Sequence, residues 1–356
     1  MNRMEDIDIS YVDMWDELNR KNEEFEKAIA ELRSGQDLSS RHLISIDDLT
    51  IDDIKLIFRI TWAFKDKFIT REKKKIPLLK GKTVLNFFFE TSTRTKTSFE
   101  IAGKELNSDV INMSGSSSSM SKKGESLKDT AQTLNAMKAD LCIMRHSKAG
   151  TPYLIAKEMN CPILNAGDGW HEHPTQALLD AFTICEKLGT IRQKDVLIVG
   201  DILHSRVAGS LIRIIKKMKG NVRIAAPPTF IPKGIEEEFG VEVYHDIEKA
   251  IKNADVVYAL RVQTERAAAG YIPSIREYSK NYAINPQRLK LAKPDAIVMH
   301  PGPVIREVDL RSEVLDGPQS VVLDQVTNGY CIRLALLYLM TKKMPANISS
   351  SGGGLK

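Results

Sequence analysis

The sequence lacks the features that would assign it to several common classes of protein. Its 356 residues contain no uninterrupted apolar run of the roughly 18 residues that a transmembrane helix needs, so no membrane association is predicted. The start, MNRMEDIDIS, is acidic and has no apolar signal core, and we therefore expect a cytoplasmic protein. A net charge of only +5, without a long basic run, argues against nucleic acid as a partner.

Cysteine is scarce, and its spacing excludes the usual cysteine sites. Cys142, Cys161, Cys185 and Cys331 are too far apart for a CxxC zinc or redox pair. The first three lie within mainly apolar or mixed patterns. This predicts buried free thiols rather than metal ligands or disulfides.

Two cofactor motifs are also missing. Gly81-Lys82-Thr83 lacks the earlier glycine of a Walker loop, and it precedes a strand pattern instead of following one. Gly200-Asp201 follows an apolar strand pattern, as in a dinucleotide turn, but no GxGxxG is present. The sequence therefore predicts no nicotinamide or other cofactor.

What the sequence does contain is typical of a folded α/β protein. A chain of 356 residues with 42% hydrophobic and 27% charged residues exceeds the size of one hydrophobic core, so two domains are expected. From Leu43 onward strand and helix patterns alternate, which predicts parallel sheets. Strand patterns are found at 84–89, 110–113, 141–144, 196–201, 221–226, 241–245, 254–260 and 295–300. The predicted fold has two doubly wound domains with parallel sheets, joined by interdomain helices.

The N-terminal region differs from the rest of the chain. Apolar residues recur at helical spacing between Asp13 and Arg33, which predicts an extra amphipathic helix. Its apolar face could pack on a subunit or partner, or on its own domain, and the sequence leaves both open. The closing SSSGGGLK predicts a disordered tail.

Candidate site residues follow the strand patterns, because ligands of open parallel sheets gather at the carboxyl ends of strands. Ser92-Thr93-Arg94-Thr95 stands where a strand ends and a helix begins, and its hydroxyls, guanidinium and free N–H groups suit a phosphate. The alternative for this tetrapeptide alone is a serine N-cap followed by a surface arginine.

The segment Asn165 to Asp180, NAGDGWHEHPTQALLD, predicts a glycine-rich loop that ends before a helix. His171 and His173 with Glu172 could suggest a metal, but two histidines at i and i+2 without further ligands are a weak signal, so no metal is predicted. A hydrogen-bonding role for His173 and Gln176 is favoured.

Four arginines at separate strand ends complete the pattern. Arg94, Arg145, Arg206 and Arg261 together indicate substrates that carry several negative charges, including a phosphate. Without a metal, a cofactor or a nucleophilic triad, the chemistry would depend on positioning and charge stabilisation.

Eight segments carry a resemblance to a known family. They are FFFETSTRTKTSFE, SKKGES, MRHSKAG, NAGDGWHEHPTQALLD, IVGDILHSR, ALRVQTER, MHPGPVIRE and QVTNGYCIRLALL. Together they resemble the transcarbamylase (aspartate/ornithine carbamoyltransferase) family from about Arg41 to Tyr338. RVQ and HPGP are similar to the branch of the family that uses aspartate, whereas the ornithine enzymes carry HCLP.

The resemblance implies transfer of a carbamoyl group from carbamoyl phosphate to L-aspartate in pyrimidine biosynthesis. The alternatives are a transcarbamylase for another amino acid or amine, and a catalytically silent protein that binds a phosphorylated metabolite. It also implies an extension at 1–40, a carbamoyl phosphate domain at 41–172 completed by a helix at 328–342, an aspartate domain at 173–327 and a flexible tail at 343–356.

The resemblance further implies a role for each candidate residue. Ser92, Thr93, Arg94 and Thr95 would hold the phosphate. Thr95, Arg145 and His173 would bind the carbonyl oxygen. Gln176 and the backbone of Pro301, Gly302 and Pro303 would hold the carbamoyl NH2 group. Arg206, Arg261, Gln263 and Lys123 would bind aspartate.

The resemblance also implies a homotrimer with shared active sites, in which Ser119, Lys122 and Lys123 would enter the neighbouring subunit's site. The segment MSGSSSSMSKKGES that carries them is rich in serine and glycine, as in a loop that closes over ligands. The alternative is an ordinary surface loop. The sequence leaves open whether a regulatory chain or another enzyme of the pathway binds as a partner.

Overall fold

The structure, a computed structural model, describes residues 36–69, 75–90, 92–114, 124–263 and 271–342. The predicted N-terminal helix, the tail from 343 onward and the loop residues Ser119, Lys122 and Lys123 lie outside these ranges.

Four parallel strands form the first sheet. Strands β1 (Thr83–Phe88), β2 (Asp109–Ser114), β3 (Leu141–His146) and β4 (Ile163–Asp168) lie in the order β2-β1-β3-β4. Helices α2 (Thr93–Glu105), α3 (Leu127–Ala136) and α4 (Thr151–Glu158) connect them. The inner strands are nearly continuous apolar runs because they are covered on both faces, whereas the edge strand β2 is largely exposed.

Five parallel strands form the second sheet, in the order β7-β6-β5-β8-β9. They are β5 (Asp195–Val199), β6 (Asn221–Ala225), β7 (Glu242–Tyr244), β8 (Val256–Ala259) and β9 (Ile297–Met299). The helices of this part are α6 (Arg206–Lys217), α7 (Ile235–Phe239), α8 (Ile247–Ala250), α9 (Ile275–Tyr282), α10 (Pro286–Leu289) and α11 (Ser312–Leu315).

Three long helices join the two sheets. They are α1 (Ile51–Ile69), α5 (Pro174–Leu188) and α12 (Val322–Lys342). Phe182 of α5 meets Phe58 of α1 edge to face, with ring centroids 5.4 Å apart, and Lys65 of α1 donates to Asn328 Oδ1 of α12 at 2.7 Å. One buried apolar cluster therefore runs through both parts, with the C-terminal helix packed on helices of the first.

The predicted α/β class with two parallel sheets is confirmed, and so are the four buried free thiols. Two elements differ from the sequence-based expectation. Residues 163–168, for which no strand pattern was identified and of which 165–168 were expected to begin a loop, form β4, and α12 begins at Val322 instead of about residue 328. Among the helices of the described ranges, none combines the length and the apolar character needed to cross a membrane.

Candidate active site

The N-terminus of α2 forms an anion cradle at the carboxyl end of β1. Ser92 occupies the N-cap position, but its side chain makes no capping hydrogen bond, and the first turn carries no acidic residue. The N–H groups of the first turn and the positive end of the helix dipole therefore stand beside the hydroxyls of Thr93 and the buried Thr95. A phosphate suits this end of the helix.

Arg94 brings the loops of the two sheets together. A Cβ atom on Gly302 would lie only 3.2 Å from Cζ and Nη1 of Arg94, so the loop after β9 lies directly against this guanidinium. Gly302 has a φ of +64°, and both the close approach and the backbone conformation require glycine. Partial burial, and then the charge of Arg261, lower the pKa of Arg94. The repulsion between the two guanidinium charges favours a bound anion that interacts with both.

Glu90 is a site residue that the motifs did not single out. Arg145 Nε and Arg206 Nη2 both donate to its Oε2 atom, at 3.1 and 2.7 Å. Glu90 follows β1, Arg145 belongs to β3 and Arg206 begins α6, so one carboxylate connects the two sheets. The signal in the sequence was an acid two residues before Ser92, at the carboxyl end of the strand pattern 84–89.

His173 is a buried, neutral imidazole at the start of α5. Its backbone N–H donates to Ser210 Oγ at 2.8 Å, which ties it to α6. Burial, and then the charges of Arg145 and Arg206, lower the pKa of His173 well below its usual value. Because the imidazole is neutral at physiological pH, it can donate a hydrogen bond to a developing oxyanion without exchanging a proton with solvent.

His300 fixes the loop at Pro301–Pro303. Its Nδ1 accepts a hydrogen bond from Gly302 N at 2.8 Å, so Nε2 carries the proton and donates to Asp309 Oδ2 at 3.2 Å. Burial lowers the pKa of His300, while its bond to Asp309 opposes this shift. The imidazole is therefore neutral and holds the loop in one position.

The segment Arg261–Gln263, which follows β8, is held by two buried acids. Val262 N donates to Asp309 Oδ1 at 3.2 Å, and the backbone of Gln263 is hydrogen bonded to Asp201. The same Asp309 thus positions both the loop after β9 and the residue between Arg261 and Gln263.

The two histidines of the glycine-rich segment have different partners. His171 Nδ1 lies 3.1 Å from Asp168 Oδ2, whereas the ring of His173 lies 3.3 Å from Thr175 Oγ1. Within the part of the chain that the structure describes, no group of three His, Cys, Asp or Glu side chains is placed to hold a metal ion.

The structure therefore brings together most of the predicted site. Ser92–Thr95, Arg145, His173, Arg206, Arg261 and the loop Pro301–Pro303 meet where the carboxyl ends of the two sheets face each other. Gln176 lies in the first turns of α5, with Nε2 donating to Asp180. Ser119, Lys122 and Lys123 lie outside the described residues.

Comparison with known proteins gives two family matches that divide the chain in the same order as the two sheets. Residues 41–186 match the carbamoyl phosphate-binding domain of aspartate/ornithine carbamoyltransferases. Residues 192–340 match the aspartate/ornithine-binding domain of the same enzymes. The chain belongs to the aspartate/ornithine carbamoyltransferase family. The predicted fold and the predicted carbamoyltransferase class are confirmed.

Curated relatives within the family are named for aspartate. The aspartate carbamoyltransferase catalytic subunit of Syntrophotalea carbinolica is 52% identical over 301 residues, which cover 85% of this chain and 95% of the relative. The catalytic subunit of Geobacter sulfurreducens is 50% identical over 298 residues, which cover 84% and 95%.

Solved structures of the family share the fold at lower identity. Aspartate transcarbamoylase from Trypanosoma cruzi, in complex with carbamoyl phosphate and aspartate, is 29% identical with a TM-score of 0.76, covering 85% of this chain and 97% of that one. Ornithine carbamoyltransferase from Pyrococcus furiosus is 32% identical with a TM-score of 0.76, covering 85% and 98%. The fold of this carbamoyltransferase is therefore common to enzymes with different acceptors.

Proposed function

We propose that this carbamoyltransferase transfers the carbamoyl group of carbamoyl phosphate to L-aspartate, giving N-carbamoyl-L-aspartate and phosphate in pyrimidine biosynthesis. The observation that carries the choice of acceptor is identity of about half the residues, over 85% of the chain, to relatives named for aspartate. An ornithine enzyme has an equal TM-score to an aspartate enzyme, so the fold alone does not select the acceptor.

The donor phosphate binds at the start of α2. Ser92, Thr93 and Thr95 supply hydroxyl and N–H donors, and Arg94 supplies the charge. The helix end without a capping side chain or an acidic first turn supports this assignment, because nothing there competes with an anion. The guanidinium of Arg94 can bind two phosphate oxygens at once.

The carbonyl carbon of the donor is attacked by the amine of aspartate, and its oxygen becomes negative. Thr95, Arg145 and His173 stabilise that oxygen, each preorganised donor contributing about 3 kcal/mol to the lowering of the barrier. The C–O bond to phosphate then breaks, and the departing phosphate accepts the proton from the amine. The lowered pKa of His173 supports its role as a neutral hydrogen-bond donor.

The two ends of the substrates have separate partners. Gln176 and the backbone of Pro301, Gly302 and Pro303 accept hydrogen bonds from the carbamoyl NH2 group. Arg206, Arg261 and Gln263 bind the carboxylates of aspartate. The position of Arg261, close enough to Arg94 to lower its pKa, supports an acceptor that is itself an anion and lies beside the donor phosphate.

The active enzyme is a cytoplasmic homotrimer, in which Ser119, Lys122 and Lys123 of one subunit complete the site of the next. Lys123 takes part in both aspartate binding and catalysis. The exposed edge strand β2 supports this assembly, because it leads into the segment that carries these residues. Ile111 on β2 is 48% exposed and Ile101 on α2 is 50% exposed, which suits a contact with another subunit.

The direct test of the acceptor is phosphate release from carbamoyl phosphate across a panel of amino acids. We expect kcat/KM for L-aspartate to exceed that for ornithine, asparagine and simple amines by at least about a hundredfold, because the site binds two carboxylates. A higher kcat/KM with ornithine or another amine would overturn the choice of aspartate.

A further inference from the structure

A buried carboxylate with no predicted role connects two parts of the donor site. Asp180 lies one helical turn after Gln176 on α5 and is fully buried. Its Oδ1 atom accepts hydrogen bonds from Gln176 Nε2 at 3.1 Å and from Gln325 Nε2 at 2.7 Å. Its Oδ2 atom accepts from the hydroxyl of Tyr258 at 2.7 Å. All three contacts are donors, as an ionised carboxylate in the core requires.

The carboxylate determines which way both amide groups face. An ionised carboxylate only accepts hydrogen bonds, so each glutamine must turn its nitrogen toward Asp180. For Gln325 the opposite end confirms this orientation, because its Oε1 accepts a hydrogen bond from His300 N at 2.9 Å. A flipped Gln325 would place its oxygen against the Asp180 carboxylate and its NH2 group against the N–H of His300.

The orientation leaves acceptors for the substrate. With its nitrogen bonded to Asp180, Gln176 has its carbonyl oxygen left to accept a hydrogen bond from a ligand. Gln325, held by the same carboxylate, anchors the backbone of His300 directly before the loop Pro301–Pro303. One buried acid therefore controls both groups that the proposed function assigns to the carbamoyl NH2.

We propose that Asp180 is a positioning residue for the donor substrate, which directs the acceptor oxygens of Gln176 and of the loop Pro301–Pro303 toward the carbamoyl NH2 group and so makes the site prefer a carbamoyl phosphate to an acetyl phosphate. The inference rests on the proposed function only for the identity of the donor.

The chemistry of the two donors explains why acetyl phosphate is a suitable probe. Carbamoyl and acetyl groups have nearly the same size, but one carries an NH2 with two N–H donors and the other a methyl group. A site that presents fixed acceptors discriminates against the methyl group, because its buried acceptors are then left without partners. If the acceptors lose their fixed orientation, the carbamoyl group loses its advantage while the acetyl group loses nothing.

The surroundings of Asp180 also determine how the preference depends on pH. Burial, opposed by the three donors and the charge of Arg333, raises the pKa of Asp180 to about 7. The other ionisable groups that face it are Tyr258 of β8, whose pKa burial raises well above its usual value, and Arg333 of α12, whose pKa is about 10. Neither changes charge near neutral pH. Below about pH 7 Asp180 gains a proton, which Oδ2 can donate to the hydroxyl oxygen of Tyr258 while Oδ1 still accepts from both glutamines, so the amides keep their orientation.

The experiment measures the Kd values of carbamoyl phosphate and acetyl phosphate by calorimetric titration of the full-length protein, without an acceptor. We expect Asp180→Ala to reduce the ratio of the two Kd values at least about tenfold, through weaker carbamoyl phosphate binding. Asp180→Asn should keep the ratio within about threefold, because its oxygen can accept from both glutamines and its nitrogen can donate to Tyr258. The ratio in the wild type should likewise stay within about threefold between pH 8 and pH 6, because protonated Asp180 and Asn offer the same acceptor and donor.

Two further variants separate positioning from stability. Tyr258→Phe removes one hydrogen-bond donor from the same carboxylate but leaves Gln176 and Gln325 bonded to it, so the ratio of the two Kd values should be unchanged. Gln325→Leu cuts only the link to His300 and should lower the ratio by a smaller factor than Asp180→Ala, and this variant decides the outcome if Asp180→Ala does not fold.

The inference would be overturned if Asp180→Ala and Gln325→Leu weakened the binding of carbamoyl phosphate and acetyl phosphate equally, or left the ratio of the two Kd values unchanged. An Asp180→Asn protein with a ratio as low as that of Asp180→Ala would also contradict it. Because these ratios are measured without an acceptor, they do not depend on aspartate. A wild-type protein that binds both donors but forms no N-carbamoyl-L-aspartate would count against the proposed function alone.

Discussion

Arg94 belongs to the first turn of α2, lies against the backbone of Gly302 and is affected by the charge of Arg261. The helix end has no capping side chain, and the loop that contains Gly302 lies against the guanidinium of Arg94. At the residue scale, the proposed phosphate contact and the contact between the two sheets therefore involve the same side chain.

Replacing Arg94 tests this double role. We expect Arg94→Ala to keep the fold and to lower kcat at least about a hundredfold, because a charge-assisted phosphate contact and the contact to the Gly302 loop are both lost. Steady-state kinetics and thermal denaturation measure the two quantities. Arg306→Ala is the matched control, since Arg306 pairs with Asp316 on the surface and its loss should leave kcat unchanged. Near-normal turnover in Arg94→Ala would refute the cradle.

Arg261 should act on the other substrate. Because its guanidinium is assigned to a carboxylate of aspartate, Arg261→Ala should raise the KM for aspartate at least about thirtyfold. The Kd for carbamoyl phosphate should stay within about threefold of the wild-type value. The comparison of the two constants is the measurement, and an equal loss for both ligands would show that Arg261 does not select the acceptor.

The residues that the sequence identified and those it missed differ in one respect. The four arginines and His173 stand at the ends of apolar strand patterns or the start of a helix, so a rule about parallel sheets finds them. Glu90 and Asp180 act through partners far away in the chain, such as Arg206 and Gln325. Only the folded structure shows those contacts.

At the scale of elements, the loop after β9 is built around glycine. Gly302 combines a φ of +64° with a clearance of 3.2 Å between an added Cβ and the guanidinium of Arg94. Gly81 has a similar φ of +79°, but nothing lies within 4 Å of an added Cβ. Both glycines therefore have a positive φ, but only Gly302 has a neighbouring side chain that an added Cβ would contact.

This pair of glycines gives a matched prediction. Gly302→Ala and Gly81→Ala should each lose about 1 kcal/mol of stability, because alanine is strained at a positive φ. Only Gly302→Ala should also lower kcat, by at least about tenfold, since the methyl group displaces Arg94. Melting temperatures and kcat values of both variants measure this. Equal kcat values in the two proteins would show that the close approach to Arg94 is not important for turnover.

The strand that the sequence did not predict is β4 (Ile163–Asp168). Asn165, Gly167 and Asp168 are typical turn residues, and they were expected to begin a loop. In the structure all six residues of β4 are buried, and Asn165 Nδ2 donates to Ile44 O at 2.9 Å and to Asp168 Oδ1 at 2.8 Å. Side-chain hydrogen bonds satisfy polar residues in a buried strand, and a pattern of apolar residues cannot reveal that.

At the scale of the whole molecule, shared active sites lead to a simple count. If Arg94 of one chain and Lys123 of its neighbour form one site in a closed ring of three, Arg94→Ala and Lys123→Ala chains complement each other. Random mixing of equal amounts makes about three quarters of the rings mixed, and each mixed ring regains one intact site. About one quarter of all sites should therefore revive. Activity that stays at the level of the two parents, with mixed rings confirmed by mass, would mean that each site is built from one chain.

Identification of the product shows whether this chain carbamoylates aspartate. The purified protein is given carbamoyl phosphate with equal concentrations of L-aspartate and L-ornithine, and the products are separated and weighed by mass spectrometry. We expect N-carbamoyl-L-aspartate in at least about a hundredfold excess over citrulline, in an amount equal to the phosphate released. Citrulline as the main product, or phosphate release without either product, would contradict this expectation.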